Sequence, residues 1–190
     1  MTTYEKLQHK LRRAPRKWLV TGVAGFIGSH IAEKLLQLNQ KVVGLDNFST
    51  GKRANLEDLQ DSLNAKQRRA FRFIEGDITR DADCKKACRG VDYVLHQAAL
   101  GSVPRSFADP LSTHLANATG FLQILLAAQK AKVKRVVYAS SSSVYGNEKT
   151  LPKKEEKTGA LLSPYAVSKM VDELYSHVFG NGYDAISFLS

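Results

Sequence analysis

Trp18-Leu19-Val20-Thr21-Gly22-Val23-Ala24-Gly25-Phe26-Ile27-Gly28 runs from a compact apolar strand, through a glycine-spaced loop, into a helix. Ile27, Ile31, Leu35 and Leu38 mark one face of that helix. Gly22-x-x-Gly25-x-x-Gly28 therefore stands between a strand and a helix. A dinucleotide loop needs that context: a tight turn, close backbone approach to a pyrophosphate, and phosphate at a helix N-terminus. The next strand, Lys41-Val42-Val43-Gly44-Leu45, stops at Asp46. A carboxylate there can accept hydrogen bonds from ribose hydroxyls. Asp46 would repel a 2′-phosphate, which favours NAD over NADP; Lys52 and Arg53, close by in sequence, are the opposing signal.

Working outward, the pattern repeats. Residues 1–14 read as a short amphipathic helix (Tyr4, Leu7, Leu11) ended by Pro15, an N-terminal extension over 1–16. Helices are expected over 53–68, 80–88 and 109–131, and strands at Phe71–Glu75, Val91–Leu95, Val136–Ala139 and Ala185–Leu189. Residues 147–162 are polar and turn-rich. A last helix starts near Ser163-Pro164, proline suiting a first helical turn. Short apolar strands without alternation, each followed by a helix, predict a doubly wound parallel α/β sheet over 17–190, covered on both faces.

Composition agrees with one globular domain: 190 residues, 43% hydrophobic and 24% charged. No apolar run approaches the roughly 20 residues that span a bilayer, so no membrane role is expected. The N-terminus lacks the apolar core of a signal peptide, and the expected location is cytoplasmic. The net charge of +10 raises nucleic-acid binding. The basic pieces, Lys10 to Lys17, Lys66 to Arg72 and Lys130 to Arg135, are dispersed without interleaved aromatics. A surface tuned to a phosphate-bearing small substrate is the reading preferred over nucleic acid.

Tyr165-Ala166-Val167-Ser168-Lys169 sets a tyrosine and a lysine on one helix face, a turn apart. The ammonium can stabilise a phenolate, moving a hydroxyl of ordinary pKa about 10 toward general-base work. With the dinucleotide loop, this predicts a nicotinamide-dependent enzyme of alcohol/ketone chemistry. Ser140 to Ser143, at a strand end, would supply hydroxyl donors for the same substrate oxygen. Asp77 and Ile78 follow the third strand and would sit by the adenine, and Gln97-Ala98-Ala99 follow the fourth. All fall at carboxyl ends of strands, where open α/β sheets bind ligands. His9, His30, His96, His114 and His177 are scattered and receive no catalytic role. Cys84 and Cys88 read as reduced, half-buried helix residues and not as part of a metal site.

These motifs resemble the extended branch of the short-chain dehydrogenase/reductase superfamily, the NAD-dependent epimerases and dehydratases. They are Thr21-Gly22-x-x-Gly25-Phe26-Ile27-Gly28, Leu45-Asp46-Asn47, Gly76-Asp77-Ile78, His96-Gln97-Ala98-Ala99, the serine run with Val144-Tyr145-Gly146, and Ser163-Pro164-Tyr165-x-x-x-Lys169. The segments Trp18 to Ser29, Lys41 to Phe48 and Val91 to Ser106 are most similar to bacterial UDP-N-acetylglucosamine 4-epimerases of surface-polysaccharide pathways. The resemblance implies NAD as cofactor. It adds Phe26, Ile27, Asn47, Phe48, Ser49, Thr50, Gly51 and Asn117 to the residues near it. Tyr165 would take the proton of the sugar 4-hydroxyl as C4 gives hydride to NAD. Lys169 would hold the ribose hydroxyls and assist Tyr165. Ser141 matches the family's catalytic Ser/Thr, with Ser142 second. Ser102 and Ser143 join the substrate contacts. A UDP-sugar substrate and a homodimer, formed through the 109–131 and Tyr165 helices, are also implied.

Two departures qualify the resemblance. Dehydratases of this branch usually carry Asp-Glu after the catalytic Thr, where Ser142-Ser143 stand here, so dehydration is the less favoured activity. Family members also run to roughly twice this length, and the chain reaches Ser187-Phe188-Leu189-Ser190 where they continue. The expectation is a truncated chain without the substrate lobe, weakly active or inactive and with apolar surface left open. A cofactor-binding or dimer-interaction module without turnover is the alternative.

Overall fold

The computed structural model describes residues 1–180 and 186–189, and the side chains of residues 1–180. The sheet is built from β1 (Lys17–Thr21), β2 (Lys41–Asp46), β3 (Phe71–Glu75), β4 (Tyr93–His96), β5 (Arg135–Ala139) and β6 (Ile186–Leu189). All pairs are parallel, in the order β3-β2-β1-β4-β5-β6. That is the doubly wound order, with the reversal between β1 and β4. The helices are α1 (Thr3–Arg13), α2 (Phe26–Gln37), α3 (Arg53–Asp61), α4 (Ala65–Arg69), α5 (Asp81–Cys88), α6 (Val103–Ala108), α7 (Pro110–His114), α8 (Gly120–Lys130) and α9 (Pro164–Gly180).

The unbroken apolar strands are explained by two cores. Leu19, Val43 and Leu45 point to one face, packing with Cys84, Cys88, Phe121, Ile124 and Tyr138 under α5 and α8. Val20 and Val42 point to the other, with Leu35, Leu36, Leu56 and Leu59 of α2 and α3. Successive side chains alternate faces, so a sheet covered on both sides needs apolar residues at every position.

Several boundaries differ from expectation. The helix expected over 53–68 breaks into α3 and α4 because Asn64 caps a new helix. Its side chain accepts from the Lys66 and Gln67 amides. Val91 and Asp92 precede β4; Asp92 accepts from the Lys17 amide and binds Lys134 Nζ. The helix expected over 109–131 starts as α7, passes through a π-helical turn (Leu115–Thr119) and continues as α8. Helix α6 was not expected, although Ser102 at its cap and Pro104 in its first turn signal it. Of the last expected strand, Ala185 lies outside the described residues.

Helix α1 carries the expected stripe, but Tyr4 and Leu7 are exposed. The chain beyond it is tied down by Gln40, which is fully buried. Its Nε2 donates to the Leu11 and Leu38 carbonyls, and its Oε1 accepts from the Arg16 amide and Trp18 Nε1. Cys84 and Cys88 are fully buried rather than half-buried, and burial pushes both thiols up to about 12. No helix among the described residues is long and apolar enough to cross a membrane.

Candidate active site

A cleft of about 270 Å³ opens at the carboxyl ends of the central strands. Gly22 and Gly25 form one wall, Asp46, Asn47, Ser49, Thr50 and Gly51 a second, and Asp77 with Ile78 a third. Gln97, Ala98 and Ala99 close it from β4. Two glycines make the shape possible. Gly22 has φ +67, and a Cβ there would lie 2.7 Å from the Ala98 amide nitrogen. A Cβ on Gly28 would come within 2.1 Å of the Gly22 carbonyl oxygen, so only glycine lets α2 pack against its own entry loop.

Gly25 caps helix α2 without a side-chain hydrogen bond, and the first turn carries no acid. Its first amides are left for an anion, and the helix dipole favours one. Asp46 is 8% exposed and braces the loop: Oδ2 accepts from the Ala24 amide at 2.9 Å and Oδ1 from the Phe48 amide at 2.8 Å. Each oxygen keeps a second lone pair for a ribose hydroxyl. Arg53, a candidate 2′-phosphate partner, is engaged elsewhere. It pairs with Glu75 at 3.1 Å and lies 4.2 Å over the Phe48 ring. Asp77 accepts from the Thr79 amide and hydroxyl and from Asn47 Nδ2. Burial works to raise its carboxyl, but those hydrogen bonds and the Arg80 charge outweigh it and hold the carboxyl below the usual range.

The remaining expected residues lie outside the cleft lining. Phe26 and Ile27 are exposed at the start of α2, and Gly28 is buried beneath the loop. Phe48 sits at φ +57 with its ring against Phe73. Asn117, in the π turn, holds both backbone groups of Leu100 and donates to Ser168 Oγ at 3.0 Å. It ties the segment after β4 to α9. Ser102, at φ +97, caps α6.

Beyond the cleft, β5 runs into the serine turn. Ser141 caps a 3₁₀ turn (Ser142–Tyr145), and its Oγ accepts from the Ser143 amide and hydroxyl. Ser142 is exposed. Ser163 Oγ accepts from the Ala166 amide and starts α9 as expected. Tyr165 is half-buried on α9. Lys169 is 3% exposed, and its Nζ donates to the Ala139 carbonyl and to Asp172 Oδ2, both at 3.1 Å. The lysine thereby fastens α9 to the end of β5, beside the serine turn.

Sequence reasoning missed three groups. Leu45, Gly76, Thr79 and Leu100 line the cleft as neighbours of predicted residues, and Thr79 was signalled by the Asp-x-Thr turn. Ser112, Leu115 and Ala116 also line it; their placement depends on the π turn, which has no local sequence signature. Asp172 and His96 form the third group. Asp172 is fully buried, its Oδ1 has no partner among the described residues, and burial pushes its carboxyl up to about 6 despite Lys169. His96 bonds Thr21 Oγ1 through Nδ1 at 2.9 Å, and burial with the Lys169 charge pushes it down to about 3.

A family model described as the NAD dependent epimerase/dehydratase family matches residues 18–190. The chain belongs to that family. It is 37% identical over 175 residues to a putative UDP-glucose 4-epimerase of Methanocaldococcus jannaschii, covering 90% of this chain and 54% of that protein. Among solved structures it resembles a UDP-N-acetylglucosamine 4-epimerase from Methanobrevibacter ruminantium in complex with UDP-N-acetylmuramic acid. The TM-score is 0.79 and the identity 37%, over 92% of this chain and 53% of that one. It is similar as well to the dTDP-glucose 4,6-dehydratase DesIV of Streptomyces venezuelae, solved with NAD bound, at TM-score 0.80 and 34% identity. That match covers 88% of this chain and 53% of the dehydratase. The chain thus spans about half the length of these relatives. NAD, the expected cofactor, is the family's cofactor, and the uncapped helix, the loop glycines and Asp46 fit it.

Proposed function

We propose that this chain carries the cofactor half and the proton-transfer residues of a nucleotide-sugar 4-epimerase. The proposed substrate is a UDP-N-acetylhexosamine, interconverted between the gluco and galacto forms for surface-polysaccharide assembly. The observation that carries the reading is Lys169 anchored at the end of β5, which brings the helix bearing Tyr165 to the serine turn beside an NAD-type cleft. Similarity to the archaeal UDP-N-acetylglucosamine 4-epimerase supports the sugar assignment.

In this mechanism Tyr165 takes the proton of the sugar 4-hydroxyl. Ser141 hydrogen-bonds the same oxygen, its hydroxyl held by Ser143. Lys169, one turn from Tyr165, stabilises the phenolate that accepts this proton. NAD, when bound, supplies reversible hydride chemistry. Proton return from Tyr165 after the keto sugar has presented its other face completes inversion without net redox change. Similarity to DesIV favours a dehydratase as the second reading. Elimination needs an acid and a base next to the catalytic hydroxyl, and Ser142 and Ser143 supply neither, so epimerisation is preferred.

A homodimer is part of the proposal. Phe107 and Leu111 are exposed before α8, and Val167, Leu174 and Val178 are exposed along α9. Such apolar surface marks contact sites. Light scattering of the purified chain is expected to give twice the monomer mass; a monomer at micromolar concentration would count against it. The activity test is conversion of UDP-N-acetylglucosamine to UDP-N-acetylgalactosamine, with Tyr165→Phe abolishing it. Turnover that survives Tyr165→Phe would remove the proposed proton route.

A further inference from the structure

Two of the basic pieces that look dispersed in the sequence converge in space. Arg12, Lys17, Lys41, Lys66, Arg69 and Arg72 line one hollow of about 630 Å³. Lys17 and Lys41 open β1 and β2, and Arg72 stands at the start of β3. The hollow therefore lies at the amino ends of the parallel strands, the edge opposite the NAD-type cleft. Arg12 comes from α1, Lys66 and Arg69 from α4. Gln40, bonded to the Leu11 carbonyl, fixes the end of α1 that carries Arg12.

No carboxylate lines the hollow among the described residues. Lys17 Nζ donates to the Arg89 carbonyl at 3.0 Å, and Arg72 reaches the Lys86 carbonyl at 3.5 Å. Arg12, Lys41, Lys66 and Arg69 have no hydrogen-bonded or ion-paired side-chain partner among the described residues. The nearby acids are committed. Asp92 holds Lys134 and the Lys17 amide, and Asp61 holds Arg68. These cations, all exposed except the half-buried Lys17, repel one another across the concave surface and focus a positive field there, which a bound anion relieves.

The lining also limits the class of anion. Val42 and Val43 lie buried behind it, and among the described residues no aromatic ring lines the hollow to stack a base. A concave space of this size suits a small molecule rather than a duplex, which is read by elements that project into its grooves. We propose that the hollow formed by α1, α4 and the amino ends of β1–β3 is a second ligand site, taking a compact oligophosphate. An inorganic phosphate chain and the triphosphate of a nucleotide share that chemistry.

Calorimetric titration of the whole chain with inorganic tripolyphosphate, and in parallel with ATP, tests the site. One tripolyphosphate per chain is expected, its binding unaffected by saturating NAD and weakened by salt. Lys66→Glu/Arg69→Glu on α4, and separately Arg12→Glu on α1, are each expected to weaken it about tenfold or more. Lys130→Glu, an exposed charge outside the hollow, is expected to leave it unchanged. Equal binding of both anions assigns recognition to the phosphate chain, and tighter ATP adds a nucleoside contact; either supports the site. The proposal is overturned by no binding of either anion, by displacement with NAD, by equal weakening in Lys130→Glu, or by tight duplex DNA binding that tripolyphosphate does not compete.

Discussion

The proposed cofactor half of the site and its proposed proton-transfer half solve different problems. Around the cleft, backbone is set out for recognition: glycines admit close approach, α2 leaves its first amides free, and Asp46 spends one lone pair of each oxygen on loop amides. Its polar groups are paired locally. At the other half, Lys169 is buried against Asp172, whose second oxygen has no partner among the described residues, and His96 is buried neutral close by. One half is settled by short-range geometry. The other holds charge in a low-dielectric place and depends on α9 staying against β5.

The largest effect is therefore expected where charge is buried. Asp172→Leu leaves the Lys169 ammonium unpaired and should cost about 3–5 kcal/mol at neutral pH in urea unfolding. A cost under about 1 kcal/mol would mean the pair carries little of the packing between α9 and β5. Gly28→Ala should cost roughly 3 kcal/mol and remove NAD binding, since its Cβ meets the Gly22 carbonyl oxygen. Retained NAD affinity would show that the entry loop is less rigid than described.

Within the half that buries charge, two groups should also separate by pH. Asp172, ordinarily 3.8, is raised to about 6, so its contribution is present below pH 3.8 and lost as pH rises through 6. His96, ordinarily 6.5, is depressed to about 3, so its contribution is present above pH 6.5 and lost as pH falls. The two oppose each other between pH 6 and 4. Asp172→Asn should make stability fall more steeply on acidification than in the parent chain. Unfolding midpoints across that range check the sign, and parallel curves would refute it. A smaller effect is expected at the cleft wall. Asp46→Ala leaves two loop amides unpaired, costing about 1–3 kcal/mol and at least tenfold in NAD affinity by titration. Smallest is a reporter: Cys84 Sγ donates to the Ile78 carbonyl behind the cleft. Thiol labelling should be slow in the native chain and slower still with NAD bound; unchanged labelling would show that the cofactor does not brace that wall.

The same contrast governs what the sequence could reveal. Gly22, Asp46, Asp77 and Gln97 were legible because a strand end, a turn and a helix start are local events with local signatures. Unbroken apolar strands predicted the parallel sheet for the same reason. Ser112, Leu115 and Ala116 enter the cleft through a π turn that no residue pattern announced. Asp172 looked like one polar helix residue among several until α9 was packed on the sheet. The basic hollow was hidden in another way: Arg12, Lys41 and Lys66 belong to separate elements, and only the shared amino edge of the strands gathers them.

Calorimetric titration of the chain with NAD tests most directly whether the cofactor half is built by local geometry. Binding of one NAD per chain is expected, abolished by Gly22→Ala and retained by Tyr165→Phe. A folded chain that binds no NAD, or one whose binding survives Gly22→Ala, would contradict it.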